Sequence, residues 1–134
     1  MLNTNTLMTG DIIYNVATDT PFRVTGIRDA YYVAGIALDN THRSMVADRD
    51  DLTGIQLIDV LTPMNGWKDM PGNWKIINFD NPRIRIGWNS ETADLVIGYG
   101  QFPITVIYLH HLQNILRCAG LGEYANNIKL PYQE

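Results

Sequence analysis

The sequence predicts an α+β domain: an N-terminal SH3-like small β-barrel or curled sheet, a short helix, an antiparallel β-meander and a C-terminal amphipathic helix. Three observations carry this. Short runs of aromatic and β-branched residues recur between turn residues through residue 57. Three similar runs follow Pro71-Gly72-Asn73. From about Thr105 or Ile107 to Ala119 the apolar period lengthens to that of a helix.

Gly10-Asp11 leads into Ile12-Ile13-Tyr14, and Asp19-Thr20-Pro21 reads as the turn before Phe22 to Ile27. A third strand is predicted from Tyr31 to Leu38, closed by Asp39-Asn40-Thr41, and a shorter one from Ser44 to Ala47. One twisted sheet of such short strands buries its apolar face best by curling or closing, which predicts the SH3-like part over 7–57. Leu57, Ile58, Leu61 and Met64 then have helical spacing. Pro63 limits that helix and Asn65-Gly66 ends it.

Trp74 to Phe79, Arg83 to Trp88 and Ala93 to Tyr99 form the predicted meander, with turns at Asp80-Asn81-Pro82 and Asn89-Ser90-Glu91. In the terminal helix, Tyr108, Leu109, Leu112, Ile115, Leu116 and Ala119 fall on one stripe roughly 120° wide at about 100° per residue. His110, Gln113, Asn114 and Arg117 fall opposite it. Gly120-Leu121 suits a left-handed cap with an apolar return contact, and Asn126 to Leu130 reads as a short closing strand. No Pro-, Gly- or Ser-rich linker separates 7–57 from 58–134, so residues 1–134 are expected to form a single domain.

Composition narrows the function classes. A net charge of −4 argues against a chain whose main task is sequence-independent binding to a phosphate backbone. The single cysteine, Cys118, has no internal partner and reads as a small packed or half-packed thiol in a reducing compartment. Met1 to Thr9 lacks the cationic start and apolar core of a signal peptide, and no apolar run has the length of a membrane span. A cytoplasmic protein is expected, with no membrane partner.

No spacing matches a P-loop, a nucleophile elbow or a zinc-ligand pattern. His110 and His111 point about 100° apart on a helix, without the i, i+4 spacing that lets two imidazoles share an ion. His42 reads as a turn residue. Asp48, Asp50 and Asp51 lack the glycine hinge and distal glutamate of a calcium loop and read as a solvated turn. Neither catalysis, metal nor cofactor is predicted.

Two candidate binding surfaces remain. Arg83 and Arg85 alternate with Ile84 and Ile86, so both leave one face of a strand, with Lys75 on the preceding strand and Trp74 and Trp88 nearby. Arginine beside exposed aromatics can hold a single-stranded nucleic acid or anchor a protein. The bland alternative is a solvent-facing surface whose isoleucines and tryptophans pack inward. Trp67, at a helix exit, reads as a core anchor. The second candidate is the polar face of the terminal helix.

That helix carries a resemblance. Tyr108-Leu109-His110-His111-Leu112-Gln113-Asn114-Ile115-Leu116 resembles a motif ending many small uncharacterised proteins of Bacteroidetes bacteria, their phages and mobile elements. The Gly10-Asp11 strand entry, Phe22-Arg23-Val24, the Asp51 to Leu57 segment and Asn65-Gly66-Trp67 follow the same plan more loosely. Arg117-Cys118-Ala119-Gly120 departs from it, where the family tends to have an aromatic residue and a Thr-Gly end. The resemblance implies origin and architecture and carries no activity. It directs attention to His110, Gln113 and Asn114, either as a recognition surface for a protein partner or as a second packing face whose amides cap strands or loops. The expected function is a noncatalytic accessory or adaptor protein of phage or mobile-element type that binds a protein, with nucleic-acid binding through Lys75, Arg83 and Arg85 as the alternative.

Overall fold

The computed structural model describes residues 7–29, 31–39, 41–80, 82–98 and 103–130. Met1 to Thr6 and the predicted turn and strand residues Asn40, Asn81 and Tyr99 lie outside these residues.

The first five strands are β1 (Ile12–Asn15), β2 (Thr20–Ile27), β3 (Tyr32–Ala37), β4 (Ser44–Asp48) and β5 (Leu52–Thr53). They form one antiparallel sheet in the order β4-β3-β2-β1-β5. A 3-10 turn at Arg49–Asp51, capped by the Asp48 carboxylate accepting from the Asp50 amide at 3.0 Å, leads from β4 into β5. The edge strands β4 and β5 do not pair with each other, so this sheet is not a closed barrel.

Alternation sends Ile13, Phe22, Val24, Val33 and Ala47 to one face, where Leu7 and Leu52 join them in a small core. Gly35 lies under Phe22 there. A Cβ built on it would stand 2.2 Å from the Phe22 ring and 2.6 Å from the Arg23 carbonyl. Ile12 and Leu38 serve a second, larger core.

The predicted short helix is two 3-10 turns, Leu57–Asp59 and Pro63–Asn65. Pro63 starts the second turn instead of breaking a longer helix, and Gly66, at φ +88°, ends it. The turns bury Leu57, Val60 and Leu61, leaving Ile58 and Met64 largely exposed, which a regular helical stripe would not do.

The second sheet holds β6 (Lys68–Met70), β7 (Trp74–Asp80), β8 (Arg83–Asn89), β9 (Asp94–Ile97) and β10 (Ile104–Thr105), paired antiparallel in the order β10-β9-β8-β7-β6. The three central strands are the predicted meander. β6 and β10 escape sequence reading because two or three residues carry no alternation.

Helix α1 spans Leu109–Cys118, later than predicted, because Thr105 is held in β10 and Tyr108 is extended and bridged to Gln56. The Leu109 amide donates to the Ile55 carbonyl at 2.7 Å. At the other end Gly120 adopts φ +82° and the Leu121 amide returns to the Leu116 carbonyl at 2.8 Å, the predicted cap. Cys118 is exposed, not packed, since it lies off the apolar stripe.

A second helix, α2 (Gly122–Asn126), stands where the closing strand is predicted to begin. Residues 127–130 join no sheet. Their apolar pattern is nonetheless used: Ile128 and Leu130 are buried. The Asn65 side chain supplies both halves of a missing ladder, donating to the Lys129 carbonyl at 2.7 Å and accepting from its amide at 2.8 Å.

One large core joins Ile12, Leu38 and Ile55 to Trp67, to Ile77, Ile86, Trp88 and Leu95 of the second sheet, and to Leu109, Leu112 and Leu116 of α1. The two parts of the chain therefore share a core. No helix among the described residues is long and apolar enough to cross a membrane.

Candidate binding surfaces

The polar face of α1 is not a surface. His110 and Gln113 are both fully buried, because α1 is packed on two sides: its apolar stripe meets the large core, and its polar face meets the entry to β1 and α2. Gln113 accepts from the Ile12 amide at 2.8 Å and donates to the carbonyls of Ala125 at 2.8 Å and Gly10 at 3.1 Å. It satisfies three main-chain groups that no regular ladder reaches, the packing alternative for this motif.

Asn114 is half-buried and accepts from Arg117 Nη1 at 2.9 Å. Arg117 also donates to the buried Asp11 carboxylate and, through Nε and Nη2, to Asn126 Oδ1 at 3.1 and 2.9 Å. Arg23 reaches the Asn126 carbonyl from β2. Burial raises the Asp11 carboxyl above its ordinary value; the Arg117 hydrogen bond, the Met8 amide and the Arg117 charge oppose this without reversing it. This polar knot joins the start of β1 to both helices.

His110 differs from its neighbours. Neither ring nitrogen has a hydrogen-bond partner among the described residues. The ring stacks near Tyr108 with centroids 6.0 Å apart and lies 4.2 Å from that of His111. Burial, with a smaller contribution from the His111 charge, pushes its pKa down to about 4. His111 beside it faces solvent. His42 sits at φ +47° in a turn, as expected. Among the described residues no carboxylate bonds either the His110 or the His42 ring.

The second sheet divides the predicted basic set. Cross-strand partners share a face, and the register pairs Asp80 with Arg83, Asn78 with Arg85, Ile76 with Gly87 and Trp74 with Asn89. Arg83 and Arg85 thus leave the same outer face, both exposed, together with Trp74. Lys75 belongs to the opposite face, opposite Trp88, and pairs with Asp69 at 2.8 Å. Trp88 points inward as well, its indole donating to the Val106 carbonyl at 2.8 Å. The sequence grouping of Lys75 and Trp88 with the two arginines is corrected by this parity.

On the outer face the Trp74 ring lies across Gly87, where a Cβ would stand 3.5 Å from the indole. β6 adds Lys68 and the exposed Met70 beside it, and β9 adds Val96. Trp74, Ile76, Met70 and Val96 belong to neither buried core. Lys68 was missed because β6 was not recognised. Charges on this face are mixed: Asp80 opposes Arg83 directly, and Asp94 lies on β9.

A shallow cleft lies between β7 and the α1–α2 turn, with Phe79, Leu121 and Tyr124 in its walls and Glu123 and Asn127 beside them. Phe79 and Tyr124 meet edge to face at 4.9 Å.

Comparison with family models, curated proteins and solved structures gives no match.

Proposed function

We propose that this chain is a noncatalytic accessory or adaptor protein, of the phage or mobile-element type its terminal helix resembles, and that it binds another protein through the outer face of its second sheet. The observation that carries the reading is Trp74 lying across Gly87 on a face that contributes to neither core. A flat aromatic residue beside arginine, ringed by Met70, Ile76 and Val96, has the composition of an interface centre. Mixed charge favours a protein over a phosphate backbone, because Asp80 stands opposite Arg83 and Asp94 shares the face.

The nucleic-acid reading keeps one favouring observation: Arg83, Arg85 and Trp74 share a face, so stacking and charge could act together there. The strand order β5-β1-β2-β3-β4, with a 3-10 turn leading into β5, supports treating 7–57 as an SH3-like unit.

The test is comparative capture from host lysate, with and without nuclease, using tagged wild type, a Trp74→Ala/Arg85→Glu variant and a Val16→Ala control from the exposed turn after β1. A protein held by wild type and control in both arms and lost by the double variant is the expected result. Retention by the double variant sinks the surface. Capture that vanishes with nuclease, and binding that falls steeply with salt, transfers the reading to nucleic acid.

A further inference from the structure

The free edge of the first sheet is a second surface, independent of the one around Trp74. Among the described residues β4 pairs with β3 along one side only. The phase of that pairing is fixed at both ends, where the Ala37 amide donates to the Arg43 carbonyl and the Arg49 amide to the Tyr31 carbonyl, each at 2.8 Å. The register between them is unbroken and pairs Gly35 with Met45 and Val33 with Ala47. Hydrogen-bonded and non-bonded pairs alternate along an antiparallel ladder. Met45 and Ala47 therefore turn their amides and carbonyls toward β3, and Ser44, Val46 and Asp48 turn theirs outward. Such a row is a template for another strand.

The side chains beside this edge are apolar and open. Gly26, Ala34 and Val46 stand side by side across β2, β3 and β4. Val46 is 50% exposed, Tyr32 beside it is 46% exposed, and a Cβ on Gly26 would meet nothing within 4 Å.

We infer that β4 pairs antiparallel with β4 of a second copy of this chain, about a two-fold axis at Val46. The sequence of the edge is self-complementary in that register. Val46 faces Val46 of the second copy, and Ser44 faces Asp48 as hydroxyl to carboxylate. Symmetry repeats that polar pair on the other side of the axis. Arg43 faces Arg49, the one like pair, but the Arg49 guanidinium is drawn back over its own Tyr31 ring at 5.3 Å. The apolar row becomes continuous from Gly26 of one copy to Gly26 of the other, and the closed pair leaves no β4 edge free.

Sedimentation over a concentration series reads this directly. Wild type should pass from the mass of one chain to that of two and stop there. Val46→Pro should remain a single chain, because the amide it removes points away from β3 and the monomer's ladder is left intact. Val46→Lys, which keeps that amide, should dimerise far more weakly, and it decides the matter should the proline variant not fold. Trp74→Ala should dimerise as wild type does, which separates this interface from the proposed partner surface. A wild type that stays a single chain at several hundred micromolar overturns the inference. So do Val46 variants that dimerise undiminished, or an assembly that grows past two chains.

Discussion

Gln113 and Ile12, 101 residues apart, are joined by a buried hydrogen bond of 2.8 Å from the Ile12 amide to Gln113 Oε1. The same side chain donates to Gly10 and Ala125, so one glutamine ties α1 to the first strand and to α2. A leucine at this site keeps the volume but leaves three buried main-chain groups without partners. An orphaned buried polar group costs about 1–3 kcal/mol, so Gln113→Leu should lower the unfolding free energy by roughly 3 kcal/mol or more. Urea unfolding measures it; a loss below about 1 kcal/mol would mean that water replaces the amide.

The central elements were legible because each repeats a period long enough to read: Trp74 to Phe79 and Arg83 to Trp88 as strands, and Leu109 to Leu116 as a helix. What lay outside the sequence was the surroundings of each element. A helical wheel orders residues around α1 but does not say how many sides are packed, so the sequence leaves a surface and a second packing face open for His110 and Gln113, which are interior. The arginine face was half legible. Spacing within β8 put Arg83 and Arg85 together, whereas the side taken by Lys75 depends on the β7–β8 register, which turn residues alone did not fix. The terminal strand failed for another reason: Ile128 and Leu130 are apolar as a strand would be, but the main chain of Lys129 between them is partnered by the side chain of Asn65.

Tyr124 holds a second long-range tie, accepting from the Trp67 indole at 2.9 Å and donating to the Asn65 carbonyl at 2.6 Å. Tyr124→Phe should leave the buried indole N–H unpaired and cost about 1–3 kcal/mol in thermal or urea unfolding. Burial pushes the phenol up to about 12. The fold therefore keeps the proton that the unfolded chain releases near 10, so the stability Tyr124 lends is complete below pH 10 and is lost as pH rises toward 12. Ultraviolet titration of wild type should show a late-ionising tyrosine component that Tyr124→Phe lacks.

Two glycines of neighbouring strands should respond oppositely to alanine. At Gly35 the added methyl meets the Phe22 ring and the Arg23 carbonyl, and the carbonyl has no rotamer by which to withdraw. Overpacking of this kind costs typically about 1–3 kcal/mol and occasionally more, and Gly35→Ala should fall at the upper end. At Gly26 the methyl meets open space, and restricting the unfolded chain should make Gly26→Ala neutral or more stable by up to about 1 kcal/mol. Melting temperatures that move together would contradict the packing described around Phe22.

The buried imidazole of His110 should make the fold sensitive to acid. Its pKa, about 4 in the folded chain against an ordinary 6.5, means that the unfolded chain binds the proton first. Stability is therefore complete above pH 6.5 and declines as pH falls toward 4, an interval worth on the order of 3 kcal/mol. Asp11 acts in the opposite sense just above pH 3.8, because its raised carboxyl favours folding as it takes up a proton, and the decline should flatten there. His110→Leu should remove most of the slope between pH 6.5 and 4, with stability at pH 8 little changed, since neither ring nitrogen makes a hydrogen bond to lose among the described residues. Chemical denaturation at a series of pH values tests both statements. An unchanged slope in the variant would move the acid sensitivity to other groups, and a large loss at pH 8 would mean that a bound water or another group satisfies the ring.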